Sequence, residues 1–297
     1  MNFLRKYPWN AVTVNRPVLS INETEPFRAV YRVYPKKGEM LFDVHYGLEI
    51  GIIVRGKMHR YYQDWETRLG PGGVWLCGMW EPHGFKILDA PCDVLAFIFW
   101  PPALAAMKFK ELPNLDWITP FIVPPSLRPV PTPQTRSQIL AVARRAIRTI
   151  ERGGPYAQAR YRLLLMEILL LLGEGWSAPA QRDYPRGDSF SRINRALQLV
   201  FQSRRVITAQ TAAKSCGLCR NTFGKLFHNL MGISFPQFGL RYRLHGAALE
   251  LRQSAAPLKA VAHHWGFTDT SHLHRCFQAH YGCSPVGYRR EASQSRK

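Results

Sequence analysis

At 297 residues, 46% hydrophobic and 12% aromatic, the chain has the apolar content for two buried cores, which excludes a disordered polymer. Its formal charge of +20 is concentrated at one end: residues 1–130 carry +3, residues 131–185 +4 and residues 186–297 +13. A C-terminal stretch with 17 basic and 4 acidic side chains is drawn to a polyanion, and nucleic acid is the commonest one.

The start, MNFLRKYPWNAVTV, shows no apolar segment of secretory length, and the six cysteines follow no disulfide framework, so a cytoplasmic protein with reduced thiols is expected. The most apolar run, LLLMEILLLL at 163–172, is broken by Glu167 and falls short of the roughly 20 residues of a membrane span, so no membrane partner is expected.

From about residue 28 to 100 the signals are those of strands. LEIGIIVRGK (48–57) is a β-branched run ending at Gly56, and RYYQDWETRL (60–69) has polar residues mid-run that suit a hairpin turn. GPGG (70–73) is a turn, followed by the short buried-type strands VWLC and DVLAFIFW (93–100). Strands so short and so punctuated predict a small antiparallel barrel or sandwich over residues 1–112.

Within it, Asp43, His45 and Glu49 precede Gly56, and His83 follows a Pro-Gly turn. This spacing resembles the cupin barrel pattern H-x-H-x(3,4)-E-x(6)-G with a later P-x-G-x-x-H, although Asp43 stands where the first histidine would be and the second motif is stretched. Alternate strand positions share a face, so Asp43, His45, Glu49 and His83 can converge inside the barrel. Such a set suits iron, manganese or zinc. It equally suits a small-molecule pocket, lined by His45, Glu49, Trp75 and His83, with Tyr46, Trp80 and Trp100 as further aromatics. The pocket is the expectation adopted, with no metal, no cofactor and no catalytic residue.

Residues 113–133 hold seven prolines and read as a surface connector. In RSQILAVARRAIRTIE, Ile139, Val142, Ala143, Ala146, Ile147 and Ile150 form one apolar stripe, the mark of an amphipathic helix. RYRLLLMEILLLL is apolar most of the way round and is expected to be buried against its neighbour helix, the barrel or a second copy. Residues 113–185 thus read as a helical connector able to dimerise, closing on the Gly/Pro-rich linker 173–189.

The last segment, 186–297, reads as short helices. AAKSCGLCRNTFGKLF (212–227) and VAHHWGFTDTSHLHRCF (261–277) repeat one design: helix, glycine turn, second helix with Phe223, Leu226 and Phe227, or Leu273, Cys276 and Phe277, facing inward. That is a helix-turn-helix arrangement, present twice. Between the copies, Ser234 to Gln237 reads as a capping box with proline in the first turn.

Gly266, Phe267, Asp269, Ser271, Leu273, Arg275 and Phe277, followed by Gly282, Ser284, Pro285, Tyr288 and Arg289, are similar to the signature of the AraC family of bacterial transcription regulators. The upstream Phe227, Gly232, Ser234, Arg243, Leu244 and Ala247 match as well. The resemblance implies an α+β protein of two domains: a cupin-like antiparallel sensor barrel, a helical connector and an all-α double helix-turn-helix reader. Its implied partners are double-stranded DNA, a small-molecule effector, RNA polymerase and a second copy of the chain.

The second helix of each motif enters the major groove in such domains. The expected DNA-contacting residues are therefore Arg220, Asn221 and Lys225 in the first motif and Ser271, His272, His274 and Arg275 in the second. Lys214, Arg241, Arg243 and Arg289 are expected on phosphate or in solvent. Gly224 offers no side chain to a base, so the first motif is expected to carry less specificity. His272, Cys276 and His280 share a helix face but lack a fourth ligand, and Cys216 and Cys219 read as packing and capping residues rather than a redox pair. Two other classes compete with the regulator: a cupin enzyme with an accessory DNA-binding domain, and a constitutive architectural DNA binder.

Overall fold

The computed structural model describes residues 15, 19–63, 65–112, 116–176 and 189–294. The chain divides into two compact units, 1–187 and 188–297.

The first unit is built on six antiparallel strands: β1 (Phe27–Tyr34), β2 (Met40–Asp43), β3 (Leu48–Tyr62), β4 (Glu66–Leu69), β5 (Val74–Cys77) and β6 (His83–Phe99). Its spine is the β3–β6 ribbon, paired from Leu48 opposite Phe99 to Tyr62 opposite His83. Register shifts between Ile53 and Met58 divide this ribbon into two halves. In one half β5 flanks β3 and β1 flanks β6; in the other β4 flanks β3 and β2 flanks β6. Two four-stranded layers therefore share one pair of long strands, as the expected antiparallel β architecture requires.

Gly56 does not end the strand, as the sequence suggested. It sits inside β3 at φ +80°, where a Cβ would lie 2.6 Å from the Pro91 carbonyl oxygen. Only glycine takes up this bulge without strain, so the residue that looked like a terminator marks the irregular stretch of the ribbon. Likewise DVLAFIFW is the second half of a strand that begins at His83.

The proline-rich stretch is not a surface connector. After α1 (Pro101–Ala105) it forms α2 (Thr119–Ile122) and a 3-10 turn, and it buries Trp117, Ile118, Phe121 and Val123. Phe121 meets Phe99 edge-on at 5.3 Å. The apolar residues between the prolines supply the area that pins the segment to the sheet.

Two longer helices follow. Helix α3 (Pro133–Arg152) is capped by Thr132, and its buried stripe contains the predicted Ile139, Val142, Ala143 and Ala146. Helix α4 (Ala157–Gly173) packs on α3 and on β1. Burial of α4 is one-sided, contrary to expectation: Leu164, Leu165, Ile168 and Leu172 are covered, whereas Leu163 is 68% exposed. Most of the linker that follows lies outside the described residues. Among the described residues no helix is long and apolar enough to cross a membrane, and no disulfide joins the six cysteines.

The second unit is all helical: α5 (Ser189–Phe201), α6 (Ala209–Ser215), α7 (Arg220–Met231), α8 (Phe235–Gln253), α9 (Leu258–His264), α10 (Thr270–Tyr281) and α11 (Pro285–Gln294). The α6–α7 and α9–α10 pairs repeat in detail. After α6, Gly217 takes φ +64° and Leu218 N–H donates to Ala213; after α9, Gly266 takes φ +65° and Phe267 N–H donates to Ala262. Both are the glycine-closed helix ends that reverse a chain tightly. Helices α7 and α10 each bury their fourth and eighth residues, Phe223 and Phe227 in one, Leu273 and Phe277 in the other. Helix α8 begins in the predicted Ser234–Gln237 capping box. Its first turns pack Phe235 and Phe238 against Phe227, and its later turns set Leu244, Ala247 and Leu251 against Val261, Phe267 and Phe277. One helix thus carries both small cores.

Candidate nucleic-acid interface and ligand cavity

The buried residues of α7 and α10 decide what each helix leaves outside. Exposed positions include Arg220, Asn221, Gly224 and Lys225 on α7, and Ser271, His274 and Arg275 on α10. Both sets lie in the N-terminal half of the helix, the part that meets base edges when such a helix enters a major groove. The structure thus brings the predicted residues other than His272 onto the exposed N-terminal ends of the two helices. His272 sits differently: it is half-buried, its Nδ1 lies 3.1 Å from the Thr268 hydroxyl, and its ring meets Phe267 edge-on.

The two helices start differently. Asp269 caps α10 by accepting from the His272 N–H at 2.7 Å. Cys219 caps α7 without a side-chain bond to the backbone, its Sγ lying 3.1 Å from the Thr222 hydroxyl instead. Burial pushes the Cys216 thiol up, and that thiol donates to the Arg192 carbonyl.

Two arginines expected on phosphate or in solvent are structural. Arg243 is buried, donates to the Gly266 carbonyl at 2.8 Å and lies over the Phe267 ring at 4.9 Å. Arg289 donates to the Ala256 carbonyl at 2.6 Å. Position on a helix within a basic segment could not reveal this; the partners are backbone oxygens brought in by other elements. His264, at the end of α9, contacts Glu250 at 2.6 Å and Arg204.

The first unit holds a cavity of about 420 Å³. At its buried end Trp75 lies flat on Gly51, where a Cβ would come 1.9 Å from the indole, and Trp75 Nε1 donates to Glu49 at 2.6 Å. His45 Nε2 stands 3.2 Å from the other Glu49 oxygen, and the His45 and His83 rings are 4.9 Å apart. All four predicted cavity residues, His45, Glu49, Trp75 and His83, therefore meet. Tyr46 and Trp80, proposed as further lining, pack on each other instead and do not line the cavity; nor does Trp100.

Sequence reading missed Arg60. It is buried, its guanidinium lies over the Trp75 ring at 4.4 Å, and it stands 3.8 Å from Glu49. Burial opposes ionisation of Glu49, but the His45 hydrogen bond and the positive charges of His83, His45 and Arg60 in their protonated forms outweigh it and hold the carboxyl well below the usual range. Burial lowers His83 to about 3, so its ring is neutral at physiological pH. His83 is oriented through Nδ1, which donates to the Glu81 carbonyl at 2.8 Å, and Glu81 is itself clamped by two 2.7 Å bonds from buried Arg128.

His45, Glu49 and His83 each offer one ligand atom, all within 4.8 Å of one another, the only such group among the described residues. Their number, spacing and backbone-tethered Nδ1 atoms (His45 faces the Gly47 carbonyl at 3.0 Å) fit a small transition-metal ion. Arg60 beside Glu49 works against a second cation there, and Trp75 already occupies one Glu49 oxygen.

A family model described as a helix-turn-helix domain matches residues 212–291. An uncharacterized HTH-type transcriptional regulator of Haemophilus influenzae is 29% identical over 103 residues, 34% of this chain and 35% of that relative's length. The chain therefore matches about a third of that protein. Among solved structures, ToxT from Vibrio cholerae O395 bound to (E)-4-(8-methylnaphthalen-1-yl)but-3-enoic acid is similar over 90% of this chain and 99% of its own, with TM-score 0.50 and 11% identity. The DNA-binding domain of AdpA, solved with a target DNA, is 24% identical, covers 36% of this chain and 95% of its own, and has TM-score 0.33.

Proposed function

We propose that the C-terminal unit, which matches a helix-turn-helix family model over residues 212–291, reads DNA as an AraC-type domain, and that the protein is a sequence-specific transcription regulator whose DNA affinity is set by a small molecule in the N-terminal cavity. The observation that carries the first half is the duplicated α6–α7 and α9–α10 motif, which leaves two polar helix ends exposed in a segment of charge +13. Each helix enters a major groove, the pair spaced by one turn of duplex, about 34 Å. Arg275 and Asn221 pair with guanine and adenine respectively, whereas Lys225 and Arg220 bind phosphate. His272, held by Thr268 and Phe267, has less freedom than its neighbours His274 and Arg275 to reach a base.

The second half rests on the cavity, whose polar end is already mutually bonded through Glu49, His45, Trp75 and Arg60. That arrangement suits recognition, because His45, Trp75 and Arg60 hold the Glu49 carboxylate in one place. An effector acts only by binding the DNA-competent arrangement differently from the other. RNA polymerase and a second copy of the chain complete the set of partners.

Selection from a pool of randomised duplexes with the full chain, at near-physiological salt, tests this reading. Enrichment of a defined motif is expected; a pool that stays random after repeated rounds leaves only an architectural DNA binder.

A further inference from the structure

A second link joins the two helix-turn-helix motifs beside α8. Helix α7 packs on α6 and α8, and α10 on α8, α9 and α11, so α8 is the element that both share. The chain between α5 and α6 also reaches across. Its Arg204 guanidinium lies over the Trp265 ring at 5.4 Å and contacts His264 Nε2. Its backbone backs the same turn, since a Cβ on Gly266 would lie 2.9 Å from the Arg204 carbonyl oxygen. Glu250 of α8 closes the group by accepting from Trp265 Nε1 at 2.8 Å and from His264 Nδ1 at 2.6 Å.

A guanidinium has only donors, so His264 accepts at Nε2 and carries its proton on Nδ1, which faces Glu250. Arg204, His264 and Glu250 thus form one hydrogen-bonded row from the first motif, through the end of α9, to α8. One guanidinium against one carboxylate leaves the row without net charge, which suits phosphate poorly. Its use is mechanical. A single connecting helix leaves two bodies free to rock about its axis, and a contact away from that axis removes the freedom.

Resting on the reading of α7 and α10 as the two DNA-contacting helices, we propose that Arg204, His264 and Glu250 are positioning residues that fix the separation of those helices and thereby specify the spacing of the two half-sites. One base pair inserted between half-sites carries one of them about 3.4 Å along the duplex and about 35° around it. A braced pair of helices rejects that duplex; an unbraced pair follows it.

The test compares the full chain with Arg204→Ala and Glu250→Gln. Arg204 is exposed, so its substitution supplies a folded variant should Glu250→Gln unfold the domain. Spin labels on unnatural residues at Asn229 and Ala279, both exposed in the C-terminal halves of α7 and α10, report the interhelix distance without DNA. A narrow distribution in the parent and a broader one in each folded variant is expected; equal widths overturn the brace. Competition binding then sets the selected duplex against one with an extra base pair between half-sites and against a single half-site. The parent is expected to bind the lengthened duplex about tenfold or more weaker, and the variants to bind both spacings within about threefold, with single half-site affinity and salt slope unchanged. A spacing ratio that survives the substitutions overturns the specificity role. Equal weakening on every duplex with a smaller salt slope makes Arg204 a phosphate contact and overturns it too. A pool that yields no preferred motif removes the DNA reading, while the distance measurement still decides the brace.

Discussion

Trp265 lies flat against Gly246, close enough that a Cβ on that glycine would come 2.0 Å from the indole ring. The contact seats the end of α9 on α8, and Trp265 Nε1 completes it by donating to Glu250 at 2.8 Å. Gly246→Ala adds helix propensity worth about 1 kcal/mol yet forces the indole off its seat, and such overpacking costs about 1–3 kcal/mol. We expect a net loss of stability by chemical denaturation and weaker duplex binding, because α10 loses its support. A variant as stable as the parent would mean that the indole has room to shift.

Arg128 and Arg145 offer a matched comparison. Arg128 forms a two-bond ion pair with Glu81 at 6% side-chain exposure, whereas Arg145 meets Glu167 at 50% exposure. Removing one partner of a buried pair leaves an uncompensated charge, so Arg128→Ala is expected to cost about 3–5 kcal/mol. Arg145→Ala is expected to cost under about 1 kcal/mol. Urea unfolding followed by tryptophan fluorescence reads both, since seven of the eight tryptophans lie in residues 1–187.

His83 gives the first unit a pH dependence of definite sign. Its folded pKa is about 3, against about 6.5 in an unfolded chain. Between those values the unfolded state binds the proton and the folded state does not, so stability rises with pH. The contribution is complete above about pH 6.5 and falls by at most about 1.4 kcal/mol per pH unit as the solution is acidified. Glu49, depressed from its ordinary value, loses its contribution only below about pH 4.3. Urea midpoints of metal-free protein from pH 7 to 5 should therefore fall more steeply for the parent than for His83→Gln. Parallel lines would contradict a neutral, buried ring.

The exposed ends of α7 and α10 should separate affinity from specificity. Arg275→Ala is expected to cost about 1–3 kcal/mol on the preferred duplex and to relax preference at one base pair. Lys225→Ala should weaken binding to all duplexes alike and reduce the magnitude of the salt slope by about 1. If Asn221 and Lys225 substitutions relaxed the preference more than those of His274 and Arg275, the first motif would be the main reader.

What sequence could reveal followed from period and spacing. The apolar positions of α3, the capping box at Ser234 and the repeated glycine turns depend on neighbours within a few residues, and the structure has them where they were expected. Gly56 misled because the same glycine serves a strand end or a bulge, and only the opposing Pro91 backbone decides. Arg60, Arg243 and Arg128 were invisible as buried groups because their partners, Trp75, Gly266 and Glu81, lie far along the chain.

Hydroxyl-radical protection of a selected duplex by the full chain tests the central claim most directly. Two protected backbone segments on one face of the DNA, about 10 base pairs apart, are the expected result. A single protected segment, or uniform protection along the duplex, would contradict the insertion of α7 and α10 into successive major grooves.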